Sequence, residues 1–280
     1  MVDSLAQATY WFIPGRILFI ILHLLGVACF AYIVAKRMTP LMRAERDFRF
    51  DRPWTRLGKV LQFWLGQWKH PRYRTAGTIH ILIFAGFIIL AARAFSLLIL
   101  GISDQFAMPG FSGRAGHIYD IVKDYAATIV FLSMVVASIR RGVIKPARYR
   151  VPARYGKDRT ADAIFLLALI AVLMAADGVF EASQAASQSQ RGQPVEFLAV
   201  LSMPWLLKNA FLSIPLATLG TLHLGAYLTH EVTFFFLLCY RPFGVQFHVE
   251  TSLFTIYFAK LDREILKPCD GVFPTISSTR

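Results

Sequence analysis

Residues 206–248 read LLKNAFLSIPLATLGTLHLGAYLTHEVTFFFLLCYRPFGVQFH. As far as Tyr240 the stretch is almost wholly apolar and exceeds the roughly 20 residues that a helix needs to cross hydrocarbon. It also carries His223, His230 and His248 on one helix and its extension past Pro242. Four further runs behave alike, at about 14–35, 75–101, 120–139 and 161–180. Hydrocarbon offers unpaired backbone groups no partner, so runs of this length predict spanning helices. The expected fold class is therefore an all-α integral membrane protein, a bundle of five transmembrane helices. Composition agrees: 280 residues, 56% hydrophobic and 17% charged, with mean hydropathy +0.50, exclude a sizeable soluble catalytic domain.

The formal charge of +13 first raises nucleic-acid binding, but its placement argues for orientation. Residues 36–74 hold 11 Lys and Arg, 140–160 hold 8 and 241–280 hold 5, so 24 of 30 fall on one side. By the positive-inside rule that side is cytoplasmic, which places the N-terminus outside and the C-terminus in the cytoplasm of a multi-pass cell (inner) membrane protein. The first fifteen residues show neither a positive n-region nor an A-x-A site, so no removable signal peptide is expected. The opposite connections, 102–119 and about 181–205, are rich in Gly, Ser, Gln and Pro and read as solvated loops. In the basic loop, WTRLGKVLQFWLGQWK (54–69) interleaves cations with apolar residues. That suits an interfacial amphipathic helix or a partner-docking surface better than a nucleic-acid groove. Cys29, Cys239 and Cys269 form no C-x-x-C pair, so a cysteine-held cluster is not expected in this chain.

The seven histidines, His23, His70, His80, His117, His223, His230 and His248, are the informative residues. Ionisable groups at membrane depth line water paths, pair with one another or hold cofactors. His70 and His80 open the second span, while His223 and His230, seven apart, point the same way about 10 Å apart in depth. Two helices presenting imidazoles across an apolar slot is what bis-histidine ligation of a b-type haem requires. A zinc site needs tighter clustering. Depth along the helices lets His80 meet His230 or His248, His70 meet His248, and His223 meet His23. The competing view of any one of them is a hydrogen-bonded packing histidine.

The stretch from His230 through Pro242 to His248 resembles the fifth helix of the gamma subunit of respiratory nitrate reductase. It is similar also to the membrane subunit of heterodisulfide reductase and to the membrane domain of related iron-sulfur reductases of the respiratory chain. GTIHILIFAGF (77–87) looks like the second helix of that cytochrome b superfamily. The resemblance implies two b haems stacked across the bilayer in a membrane domain of residues 1–248, with 249–280 as a cytoplasmic tail. Such a subunit passes electrons between the membrane quinone pool and a cytoplasmic iron-sulfur or flavoprotein partner. Carried over by position, it implies His80, His230 and His248 as axial ligands to haem iron. For the fourth, His223, His70 and His23 compete in that order. His70 and His80 reproduce a ten-residue spacing found in the nitrate-reductase subunit, whereas the residues around His80 align it with the first of that pair and leave Leu90 at the second. The clusters that many relatives of the iron-sulfur reductase type carry in a cytoplasmic extension are expected on another polypeptide, unless the chain is truncated.

Arg93, within apolar sequence, is a candidate contact to a haem propionate or quinone oxygen, unless it snorkels to the outer interface. Asp177, Glu181 and Glu231 are candidate proton relays, and Phe234, Phe235 and Phe236 are candidate slot-lining residues. Two other function classes stand beside the electron carrier. A small transporter or metal permease with a histidine-lined path predicts intramembrane carboxylates facing the histidines and broken helices. A haem-less membrane anchor keeps only the docking role.

Overall fold

The computed structural model describes residues 5–10, 12–45, 47–103, 106, 108–149, 151 and 159–262. Its long elements are α1 (Gly15–Arg43), α3 (Arg74–Leu100), α4 (Gly113–Ile139), α5 (Thr160–Gln190) and α7 (Leu216–Tyr240). Shorter helices are α2 (Pro53–Lys59), α6 (Met203–Phe211) and α8 (His248–Tyr257), and a two-residue hairpin, β1 (Thr9–Tyr10) with β2 (Ile13–Pro14), precedes α1. Five helices are long and apolar enough to cross a membrane, and the fold is all-α apart from that hairpin.

Five boundaries differ from the hydropathy reading, the first being the end of the first span, which runs on to Arg43 rather than stopping near 35. The third span begins seven residues earlier, at Gly113, because Gly116 lets the turn at Phe111 close against the helix: a Cβ there would lie 2.6 Å from the Phe111 carbonyl oxygen. The fourth continues to Gln190 through QAASQSQ, which reads as loop by composition. There Ala182, Ser183, Ala185, Ala186 and Ser187 are buried, and their small size, rather than their polarity, decides the outcome by letting neighbouring helices approach. The run from Leu206 is two helices, α6 and α7, broken before Pro215, which has no N–H to continue a ladder. Near its far end Pro242 sits in a 3-10 turn, Arg241–Phe243, so that α8 is a separate helix rather than an extension of α7. Of the tail 249–280, residues 263–280, Cys269 included, lie outside the described residues.

α5 lies at the centre, against α4, α6 and α7, while α3 packs on α4 and α1 on α7. Gly26 makes the last contact possible, since a Cβ there would stand 2.1 Å from the Phe235 ring. At the N-terminal end of α1, Phe19, Leu97, Phe180 and Tyr227 form one apolar cluster, and the Tyr227 hydroxyl donates to the Leu97 carbonyl at 2.9 Å. Around the middle, Leu90, Val130 and Met134 join α3 to α4, and Leu166, Leu173 and Leu237 join α5 to α7. The other end carries most of the basic residues and is called the basic end below. There α2 lies on α8, and the Arg56 side chain, 2% exposed, donates to the carbonyls of Tyr257 and Ala259 at 2.9 Å each. A cation at a helix C-terminus satisfies the orphan carbonyls and the dipole together.

Candidate functional site

Three imidazoles from three elements meet at the basic end. His70 lies in a 3-10 turn, His70–Arg72, just before α3, and its ring stacks on that of His80 with centres 4.2 Å apart and planes 13° apart. Gly77 permits this: a Cβ at that position would be 1.8 Å from the His70 carbonyl oxygen, so only glycine lets the turn fold back on the helix. His248, the first residue of α8, reaches the same point, its ring centre 6.3 Å from that of His80. Its Nδ1 lies 3.1 Å from the Val245 carbonyl, and a carbonyl can only accept, so Nδ1 carries the proton and Nε2 is a free lone pair. The buried Nδ1 of His70 has no hydrogen-bond partner among the described residues.

Three residues past His80, a stripe along α3 of Ile83, Phe87, Leu90 and Ala94 lines an apolar cavity of about 350 Å³ between α3, α5 and α7. His230 and Phe234 of α7 and Arg241 of the turn after it line the facing wall, and Arg93 and Asp177 its far end. His230 is held by its own neighbour, its Nδ1 lying 3.3 Å from Glu231 Oε1. The other carboxylate oxygen faces His23 Nε2 of α1 at 3.4 Å, and Glu231 is fully buried. Of the three slot candidates on α7, Phe234 lines the cavity, Phe235 packs on Gly26 and the ring of His23, and Phe236 is half exposed beside Phe165 and Tyr240.

Beyond the slot the buried polar residues form a chain. Arg93 donates to Asp177 Oδ1 from Nε at 3.1 Å and Nη2 at 2.8 Å, and Nη2 lies 3.0 Å from Glu181 Oε1. Lys123 of α4 donates to the same Glu181 oxygen and lies 3.0 Å from Asp124. Asp124 in turn accepts from the backbone N–H of Ala199 at 2.7 Å. Arg93 therefore neither snorkels nor waits for a ligand to balance it: Asp177 and Glu181, four residues apart on one face of α5, supply its counter-charge. It lines the apolar slot and also a second cavity of about 280 Å³ at the non-basic end, bordered by Tyr119, Lys123, Glu181 and Glu196.

The sequence-derived candidates are thus sorted by place. His70, His80 and His248 are together, and His230 lines the slot whose α3 wall begins at Ile83. His223 packs face to face on Phe180 with ring centres 4.1 Å apart, its Nδ1 at 3.1 Å from the Phe180 carbonyl, and does not meet His23. His23 belongs to Glu231 instead. Lys123 was not singled out from sequence, although a lysine between Asp120 and Asp124 ahead of an uninterrupted apolar run was the available signal. Compared with protein-family models, with curated proteins and with solved structures, the chain matches none.

Proposed function

We propose that this chain is the di-haem b membrane subunit of a quinone-linked oxidoreductase complex, its basic end in the cytoplasm of a cell (inner) membrane. The observation that carries the reading is the convergence of His70, His80 and His248 beside an apolar slot that also holds His230. The donor set suits a b haem on three counts. His80 and His248 would hold one group between them, their ring centres 6.3 Å apart, whereas the 4.2 Å stack of His70 on His80 leaves no such gap. The slot is apolar, and its two guanidiniums already face carboxylates of the protein, Arg93 those of Asp177 and Glu181 and Arg241 that of Glu250. An orphaned, buried Nδ1 on His70 is a polar group with no partner among the described residues.

His80 with His248 would hold one group and His230, within the slot, would be the single imidazole for the other, since His223 is committed to the Phe180 carbonyl and His70 to its stack on His80. Bound there, each haem supplies a one-electron carrier whose potential follows its axial ligands and its burial. The rest is the work of this chain's own side chains. Glu231 accepts from His230 Nδ1, which fixes the tautomer and turns Nε2 away from the carboxylate. Val245 does the same for His248 through its carbonyl. Arg93, Asp177, Glu181 and Lys123 connect the slot to the second cavity, so a proton taken up at Glu181 Oε1 has a polar route out of the apolar interior. A quinone would exchange electrons and protons at that boundary, and a cytoplasmic iron-sulfur or flavoprotein partner would dock at the basic end below His248.

The test is a dithionite-reduced minus oxidised spectrum of the purified chain with a pyridine haemochrome count. Two b haems per chain are expected, and His80→Ala, His230→Ala and His248→Ala should each lose one. Absence of haem in protein from membranes that supply it to other cytochromes would sink the reading. Two observations favour the second reading, a transporter: Glu231 is an intramembrane carboxylate between two histidines, and the run from Leu206 is a broken helix. The same spectrum separates the two.

A further inference from the structure

The segment from Trp54 to Lys69 turns its amphipathicity inside out. α2 and the π-helical turn that continues it, Val60–Leu65, bury the charged Arg56 together with Val60 against the protein, followed by Gln67. The outward face is mainly apolar, with Thr55 and Gln62 exposed beside it. Trp54, Leu57, Leu61, Leu65 and Trp68, at spacings of three, four, four and three, are 82%, 41%, 51%, 50% and 69% exposed. A helix facing water carries its charges outward, so this stripe is not a solvated face.

Two observations say what covers it. First, the stripe continues the apolar surface of α3, because Trp64 packs edge-on against Phe84 at 5.4 Å. Phe84 is ten residues into that helix, ~15 Å from its start, and its neighbours Leu82, Phe87 and Ile88 are exposed apolar residues of a span. Secondly, the two ends of the stripe are tryptophans, and Lys69 flanks it. An indole has an apolar body and one N–H, and it settles at the level of lipid headgroups, where a lysine also reaches phosphate.

We infer that residues 54–68 form an interfacial anchor lying flat in the headgroup boundary of a phospholipid bilayer, with Trp54, Leu57, Leu61, Leu65 and Trp68 in the acyl region. The inference rests on the membrane reading of the five long helices and not on haem. The anchor fixes the height of the turn that follows it, and so sets the depth of His70 and of the α2–α8 platform. An apolar face of this kind sinks ~5–10 Å into the boundary.

The full-length chain, reconstituted in phosphatidylcholine–phosphatidylglycerol vesicles, tests this through its tryptophan emission. The emission of Trp54→Phe and of Trp68→Phe, subtracted from that of the unaltered chain, isolates each indole. Lipids brominated near the headgroup should abolish most of each difference signal, and aqueous acrylamide should leave it largely intact. Difference signals quenched by acrylamide and untouched by brominated lipid, in vesicles that carry the chain on flotation and quench its other tryptophans, would overturn the anchor while leaving the membrane reading in place; the stripe would then face a protein partner or solvent. A chain that does not float with the vesicles overturns both.

Discussion

Replacing Arg93 by Met removes the one cation that the described structure places within ion-pair distance of Asp177. Asp177 is 5% and Glu181 11% exposed, and Glu181 keeps Lys123, so the variant orphans one buried carboxylate and strips another of one partner. Unit charges about 4 Å apart at an effective dielectric constant near 20 interact by about 4 kcal/mol. Breaking a buried pair from one side costs about 3–5 kcal/mol. Arg93→Met should therefore lose most of a domain's ordinary stability margin. Asp177→Asn should lose less, because Arg93 retains Glu181 at 3.0 Å. The double variant Arg93→Met, Asp177→Leu leaves neither charge, and Lys123 remains between Glu181 and Asp124. It should recover most of the loss, with a coupling of about 2–3 kcal/mol. Equilibrium unfolding in mixed micelles of increasing SDS fraction, followed by far-UV circular dichroism, gives the three values. Losses that simply add, to within about 0.5 kcal/mol, would refute the view that Arg93 is balanced by Asp177 and Glu181.

Other outcomes follow from the same geometry. His70→Ala decides the pairing at the basic end: if His80 and His248 share one iron, the haem count is unchanged, and loss of one haem instead assigns His70 to His248. His223→Ala should keep both haems, since its ring is committed to Phe180; a haem lost there would restore it as a ligand. Gly77→Ala puts a methyl 1.8 Å from the His70 carbonyl and must displace that turn, so it should perturb the haem spectrum more than Gly220→Ala, where a Cβ meets nothing. The α2–α8 platform at the basic end should resist mild acid. A hydrogen bond from Arg56, then one from Arg52, holds the Asp51 carboxyl below its ordinary 3.8, so its contribution is complete above that value and is lost as pH falls through the lowered one. Proteolysis of residues 44–52 should stay flat from neutral pH to about pH 4 and rise below it, and a rise already at pH 6 would contradict the pairing.

The sequence alone determined whatever sums along the chain. Hydropathy is a local quantity, so five apolar runs were visible without knowledge of their neighbours, as were the one-sided Lys and Arg and the histidines at the ends of two of those runs. Helix ends were less legible where small residues make the decision. QAASQSQ is polar by composition, and only the helices packed on Ala182, Ala185 and Ala186 make it helical. What tertiary structure alone decided is which groups meet. Arg93 and Asp177 are 84 residues apart, and nothing near either announces the other. His223 and His230 look equivalent on a helical wheel, yet one is taken by the Phe180 backbone and the other by Glu231 and the slot. His70 reaches His80 only because Gly77 has no side chain to stop the turn. The reason is common to all three. Burial in hydrocarbon is set by each segment's own transfer energy, whereas the pairing of polar groups depends on side-chain direction and helix rotation, which are settled by contacts distant in sequence.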